Sequence, residues 1–419
     1  MNRLQFGAFL APHHPIGEHP TLQMRRDIAL AVLLDELGYD EFWVGEHHSS
    51  GWETIASPEL FLAAAGEHTG HIRLGTGVIS LPYHHPFDVA QRLVQLDHLT
   101  RGRVMFGSGP GALPSDARLR GIDPTVQRSR QDEALGVIIR LLRGDDRFTE
   151  ESEWFTLRDA ALQILPVQDE MPMAVASTIS PSGMKLAGKY GIGVLSIASN
   201  SSEGLQALPT QWAFAEESAA AHGQHVDRGD WRVLMAWHLA ETREQARNEA
   251  VLGLQRWHNG YNVKVLGRPD ATHVEDPWQL LEQVSGGEAA GGGAAVIGTP
   301  DDMVKAIRSL YNTVGGFGVV LGFAHDWANI EASRRSWDLF ARYVIPEING
   351  YTRGLQGSAD YVERNKAELM AGATTAILQE IAKDPRAAEA LMVTMAQRAA
   401  AGSAAPAVGS APASALPPE

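Results

Sequence analysis

The sequence predicts an α/β protein built on a (β/α)8 TIM barrel with insertions and a C-terminal helical extension. Three observations carry that expectation. Short apolar runs alternate with helix-period segments eight times in one uninterrupted series. A chain of 419 residues with 44% hydrophobic content is long enough to bury a large core. Histidines recur just after the apolar runs, where the loops of such a barrel converge over one mouth. Eight strand-helix units in series favour a closed barrel over an open doubly wound sheet.

The first strand is LQFGAFL. Residues 21–37 follow as a helix, with Leu22, Ile28, Ala29, Val32, Leu33 and Leu37 at helical spacing and Gly38 as the stop. EFWVG is the second strand and 58–68 its helix. IRLGTGV is the third, followed by a helix over 87–99 that Pro86 opens from a first-turn position. RVMFGSG, MPMAVAS, GVLSIA and WRVLMAWHLA are the fourth to seventh strands, with helices over 126–142, 182–190, 203–222 and 241–258. AVIGTPDDMVKAIRSLYN reads as a helix restarting with Thr299 or Asp301 near its cap. FGVVLGF is the eighth strand, and 330–345 closes the series.

Two insertions interrupt this rhythm. DDRFTEESEWFTLRDAALQILP reads as a hairpin, and residues 260–293 are too long and polar for a simple connection, which makes them a candidate lid. The expected domains are a barrel over 1–350, a helical extension over 351–399 and a disordered Ala/Pro-rich tail over 400–419. In the extension, Val362, Leu369, Ala373, Ile377 and Ile381 share one helical face, and Leu391, Met392 and Met395 mark a second helix. Such a pair is expected to pack on the barrel or on a second subunit.

A formal net charge of −15 and a pI near 5.5 argue against a nucleic-acid partner, which needs clustered Lys and Arg. With no cysteine there is neither disulfide nor thiol chemistry. No stretch reaches the run of apolar residues that a membrane span needs, and the opening MNRLQFGAFLAPHH lacks a basic segment followed by a long apolar one. The expectation is a cytoplasmic protein without membrane partners.

The histidines carry the chemistry. They stand at His13 and His14, His47 and His48, His84 and His85, and His325, all at predicted strand ends. Barrel hydrolases hold metal with histidines two apart, because residues i and i+2 share a face. Here the pairs are adjacent, so no metal centre is expected. Any one of these histidines taken alone reads as structural; taken together at one mouth, they point to at least one functional imidazole.

GSGPG after the fourth strand lacks G-x-G-x-x-G spacing and reads equally well as a tight turn. In ASTISPSG, Ser177, Thr178, Ser180 and Ser182 supply hydroxyls just before a helix, either to cap it or to bind a phosphate such as that of FMN. Trp43, Phe106, Trp237 and Phe323 lie in or at the ends of predicted strands and read as core or as cavity lining.

LQFGAFL, GYDEFWVGEHH, HIRLGTGVISLPYHHP, QLDHLTRGRVMFGSGPG and VIGTPDDMVKAI, in this order and spacing, resemble the bacterial luciferase-like flavin monooxygenases. ASPELFLAAA, GPGALPSD and AGKYGIGVLS are similar to the limonene monooxygenase-like branch. The resemblance implies reduced FMN delivered by a separate NAD(P)H:flavin reductase, capture of O2 as a flavin hydroperoxide, and oxygenation of a small apolar, terpene-like substrate by a homodimer. It further implies His47 as the acid-base residue with Glu46 orienting it or lining the pocket, and a non-proline cis peptide at Gly77-Val78 beneath the flavin ring. Cofactor contacts would come from Gly109, Ser177, Thr178 and Ser182. Pro110 stands where the luciferase itself has a phosphate-binding arginine. The competing readings are a deazaflavin-dependent hydride-transfer oxidoreductase and a non-catalytic flavin-binding protein.

Overall fold

Alternation along each strand builds the barrel: one set of side chains fills its interior, and the other faces the surrounding helices. The computed structural model describes residues 3–197, 202–268, 271–286 and 293–400. Its strands are β1 (Gln5–Leu10), β2 (Glu41–Val44), β3 (Arg73–Thr76), β4 (Ile79–Ser80), β5 (Val104–Gly109), β6 (Phe148–Glu151), β7 (Thr156–Ala160), β8 (Met173–Ser177), β9 (Gly193–Ser196), β10 (Trp231–Leu239), β11 (Ala295–Gly298) and β12 (Val319–Phe323). Parallel pairing runs β1-β2-β3-β5-β8-β9-β10-β12 and returns to β1, closing an eight-stranded TIM barrel from the eight segments the sequence marks as strands. The expected hairpin is present as antiparallel β6-β7.

The helices are α1 (Pro20–Glu36), α2 (Pro58–Gly66), α3 (Pro86–Leu99), α4 (Pro114–Leu119), α5 (Gln127–Leu142), α6 (Ser182–Tyr190), α7 (Ser202–His222), α8 (Arg243–Trp257), α9 (Pro277–Ser285), α10 (Pro300–Val314), α11 (Ile330–Leu339), α12 (Ile345–Asn349), α13 (Arg353–Ile381) and α14 (Pro385–Ala400). Proline opens several of them at the first turn, where its missing N–H costs nothing.

Three local expectations change. AVIG, read together with the helix that follows it, is a separate strand, β11, beside the upper half of β10, whereas the helix itself begins at Pro300 with Thr299 at its cap as expected, in a capping box with Asp302. α1 buries Gln23, Asp27, Ala31 and Leu34, whereas Leu22 is 61% exposed. Asp27 takes the inner face because His14 binds it there. The closing helix is broken by a π-helical turn over Phe340–Val344.

Inside the barrel, Phe9, Trp43, Met105, Leu195, Leu321 and Phe323 pack together, while Phe106 and Trp237 belong to the layer between strands and helices. Glycine makes room for Trp43: a Cβ on Gly75 would lie 2.4 Å from its indole. Below it, Arg232 spans to Glu41 with two bonds of 2.8 Å, both side chains buried, and Trp43 Nε1 donates to the same carboxylate at 2.7 Å.

A boundary after Gly350 divides the chain into two units. The second holds α13, which begins earlier than expected, at Arg353, and α14, and no described residue of either helix is buried. Val362, Leu369 and Ile377 are exposed. The tail expected to be disordered lies outside the described residues, apart from Ala400. Among the described residues, no helix is long and apolar enough to cross a membrane.

Candidate active site

β2 delivers its chain to the mouth at Gly45, and the next ten residues hold most of the chemistry. The loop is pinned by backbone bonds from His47 N–H to Ile55 and from His14 N–H to Trp52, and a β-bridge joins His13 to Glu53. Both ring nitrogens of His47 therefore meet carboxylates: Nδ1 lies 3.1 Å from Asp116 and Nε2 3.3 Å from Glu53. A neutral imidazole would turn one lone pair on a carboxylate, so this geometry holds His47 as the imidazolium. Burial pulls its pKa down, but the Asp116 hydrogen bond and the charges of Glu53 and Asp116 outweigh that and raise it. Glu53 and Asp116 respond in kind: burial raises them, and their imidazole partners bring them below the usual carboxylate range.

Asp116 comes from the short helix α4. Its carboxylate also accepts from Ser49 Oγ and from the His48 N–H. Glu53 is a junction, with Oε1 shared by His13 and His47 and Oε2 held by the Tyr261 hydroxyl at 2.7 Å.

Glu46 does not orient His47. Its Oε1 accepts from Nε2 of both His48 and His84 at 2.7 Å, and its Oε2 from the Ser80 N–H. Burial would raise its pKa, yet these bonds bring it down to about 2. The donor atoms of Glu46, His48 and His84 are spaced as a metal would need, within 4.8 Å. Arg92, however, faces Nδ1 of His84 at 3.5 Å, which leaves Nε2 to carry a hydrogen toward Glu46, and Arg120 lies 3.2 Å from Nε2 of His48. At His84 the hydrogen points where a cation would require a lone pair, and beside His48 the Arg120 charge disfavours a second cation.

The residues expected to hold the cofactor fall on consecutive strand exits. Gly77-Val78 is a cis peptide between β3 and β4. A Cβ on Gly45 would lie 3.5 Å from the Gly77 carbonyl, and one on Gly109 would strike Val78 at 2.4 Å and approach Ala176 at 3.8 Å, so these exits touch in sequence order around the mouth. At β8, Ser177 Oγ is buried without a hydrogen-bond partner among the described residues, as is Ser108 Oγ on β5. α6 starts immediately beyond with no side-chain cap at Pro181, leaving its first N–H groups available. Thr178 is exposed, and Ser182 Oγ lies 2.9 Å from Ser180 Oγ. Orphaned hydroxyl, uncapped helix start and side-chain-free backbone together fit a flavin phosphate and ring. Pro110 provides no cation; its carbonyl accepts from Gln127.

Two of the strand-end histidines lie outside the Glu53 and Glu46 groups. His325 stacks on Trp327 at 3.7 Å, bonds the Trp237 carbonyl and is brought by burial to about 3. His14 lies against Asp27, Asp326 and Arg26 beside a cavity of about 860 Å³ that residues of α1, α8 and α11 line together with His13 and His325. Burial lowers the His14 pKa, but the bonds to Asp27 and Asp326 take it to about 9. Because its folded pKa exceeds the unfolded value near 6.5, His14 contributes stability in full below that pH and loses it as pH rises through 9. Urea unfolding of wild type and His14→Asn should therefore differ most at pH 6 and converge by pH 10.

The candidate lid is in part a fixed element. Its start is a π-helical turn over His258–Val263 that buries Tyr261 against the Glu53 group, and α9 buries Leu280 and Leu281. Sequence reasoning gave Glu53 no role, although it lies only six residues after His47. Asp116 carried no signal beyond its place in GPGALPSD, and Tyr261 carried none.

A family model described as luciferase-like monooxygenase matches residues 4–316. The 4-hydroxyprotoasukamycin monooxygenase of Streptomyces nodosus subsp. asukaensis is 47% identical over 375 residues, covering 88% of this chain and 100% of that protein. Limonene 1,2-monooxygenase of Rhodococcus erythropolis is 46% identical over 348 residues, with coverage of 83% and 87%. Among solved structures, the oxygenating constituent of 3,6-diketocamphane monooxygenase of Pseudomonas putida, a type II Baeyer-Villiger monooxygenase in complex with FMN, superposes with a TM-score of 0.68 at 24% identity, covering 82% of this chain and 98% of that one.

Proposed function

This chain belongs to the luciferase-like monooxygenase family, and from that premise we propose that it is a reduced-FMN-dependent monooxygenase acting on a small apolar, cyclic organic substrate. The observation that carries the reading is His47, fixed between Glu53 and Asp116, on a loop that abuts the Gly77-Val78 peptide. Reduced FMN supplies the two electrons with which O2 is split between product and water. Everything else falls to the protein.

Ser177 and the first turn of α6 bind the phosphate, with Thr178 and Ser182 at its exposed side. Gly77, Val78 and Gly109 accept the flat ring. His47 holds a proton at Nε2 or Nδ1 beside it, available to the oxygen as charge develops there. Tyr261, Trp52 and Trp257 pack over the His13 side of the mouth and exclude water. The names of the two close relatives favour a ring-bearing substrate such as a terpene, and family membership favours a separate NAD(P)H:flavin reductase and a homodimer.

Anaerobic titration with reduced flavins tests the binding half of this reading. Ser177→Ala should weaken reduced FMN by about tenfold, the worth of one charge-assisted hydrogen bond. Reduced riboflavin, lacking phosphate, should bind wild type and variant equally. If wild type makes no distinction between the two flavins, the phosphate site is elsewhere.

A further inference from the structure

The insertion after β10 reaches His47 through one hydroxyl. Tyr261 lies on the π-helical turn His258–Val263, a geometry that recurs at functional positions because it offsets the following side chains. Its ring packs between His13, at 4.3 Å, and Trp52, at 5.8 Å. Gly260 permits this approach, since a Cβ there would lie 2.6 Å from the Trp52 ring. The hydroxyl then meets Glu53 Oε2 at 2.7 Å.

That bond decides what the other carboxylate oxygen can do. With Oε2 held, Oε1 faces Nε2 of His13 at 3.0 Å and Nε2 of His47 at 3.3 Å. Without a donor on Oε2, a carboxylate this deeply buried would carry more charge on its remaining partners or rotate away from them. We propose that Tyr261 is a positioning residue for His47, acting through Glu53, so that the insertion sets how firmly His47 holds its proton. The catalytic consequence rests on the monooxygenase reading above, whereas the coupling between the three side chains does not.

The sign follows from the groups that face His47. Asp116 approaches from α4, Glu53, Glu46 and His48 from its own loop, His13 from the β1 exit, and Tyr261 through Glu53 from the insertion. Removing the Tyr261 hydroxyl leaves Glu53 with one donor fewer and a greater share of its charge on His47. Removing the Glu53 charge does the reverse. The Glu46, His48 and His84 group has no bond to Tyr261 and is the internal control.

The experiment is a histidine titration by NMR on the full chain carrying ring-labelled histidine and no cofactor, with the His47 signal assigned by its loss in His47→Gln. Tyr261→Phe should move the His47 midpoint up by about one pH unit and Glu53→Gln should move it down, with His48 and His84 unchanged. Under turnover, the corresponding limb of the kcat pH profile should move in the same directions. An unshifted His47 midpoint in Tyr261→Phe overturns the proposal, and so does an equal shift of His48 and His84, which would mean general loosening. Failure of wild type to bind reduced FMN would instead sink the monooxygenase reading while leaving the NMR result standing.

Discussion

Replacing His47 with glutamine is expected to lower the product formed per reduced flavin by about a hundredfold, the lower end of what a positioned acid contributes. Glutamine keeps one N–H for Asp116 or Glu53 but brings no transferable proton. The choice of residue matters, because alanine would leave two carboxylates, each 2% exposed at the side chain, with no hydrogen-bond donor between them. The variant should retain its unfolding midpoint closely and still bind reduced FMN. Reduced flavin should be consumed with peroxide released in place of product. Unchanged coupling in this variant would remove His47 from the mechanism.

The largest effect on stability is expected at the barrel floor. Arg232→Met should cost about 3–5 kcal/mol in urea unfolding, because Glu41 would be left buried without its counter-charge, with only the Trp43 N–H as a donor. Glu41 and Arg232 sit on strands far apart in sequence, and their two 2.8 Å bonds close the interior across the barrel. Changing Glu41 to leucine together with Arg232→Met should return most of the loss, since a packed apolar pair needs no counter-charge. A single variant as stable as the wild type would show that water already reaches this pair.

What was legible in the sequence follows from where the physics is local. Strand and helix periods, and proline at helix starts, depend on neighbouring residues, so the eight barrel strands and most helices could be read directly. α1 shows the limit. Its spacing nominated Leu22, yet Asp27 is inside because His14, brought in by a loop, supplies the partner that makes burying a carboxylate tolerable. β11 could not be told apart from the helix that follows it, because a four-residue apolar run carries no period of its own; only the long β10 beside it makes AVIG a strand.

The candidate site divides in the same way. His47 stands out because two histidines follow a strand, and the serines because they precede a helix. Adjacency in sequence does not make Glu46 a hydrogen-bond partner of His47: its carboxylate is taken by His48 and His84, and only its charge reaches His47. Asp116 and Tyr261 reach the histidine from 69 and 208 residues away, counted to His47 and to Glu53 respectively. No spacing rule connects such residues; only barrel closure does.

The most direct test of the central claim is to form the complex with reduced FMN anaerobically and mix it with oxygenated buffer in a stopped-flow spectrophotometer. The account predicts a transient absorbance band, distinct from both oxidised and reduced flavin, that outlasts the reaction of free flavin and is shortened in His47→Gln. Reoxidation at the rate of free flavin with no transient band would contradict it.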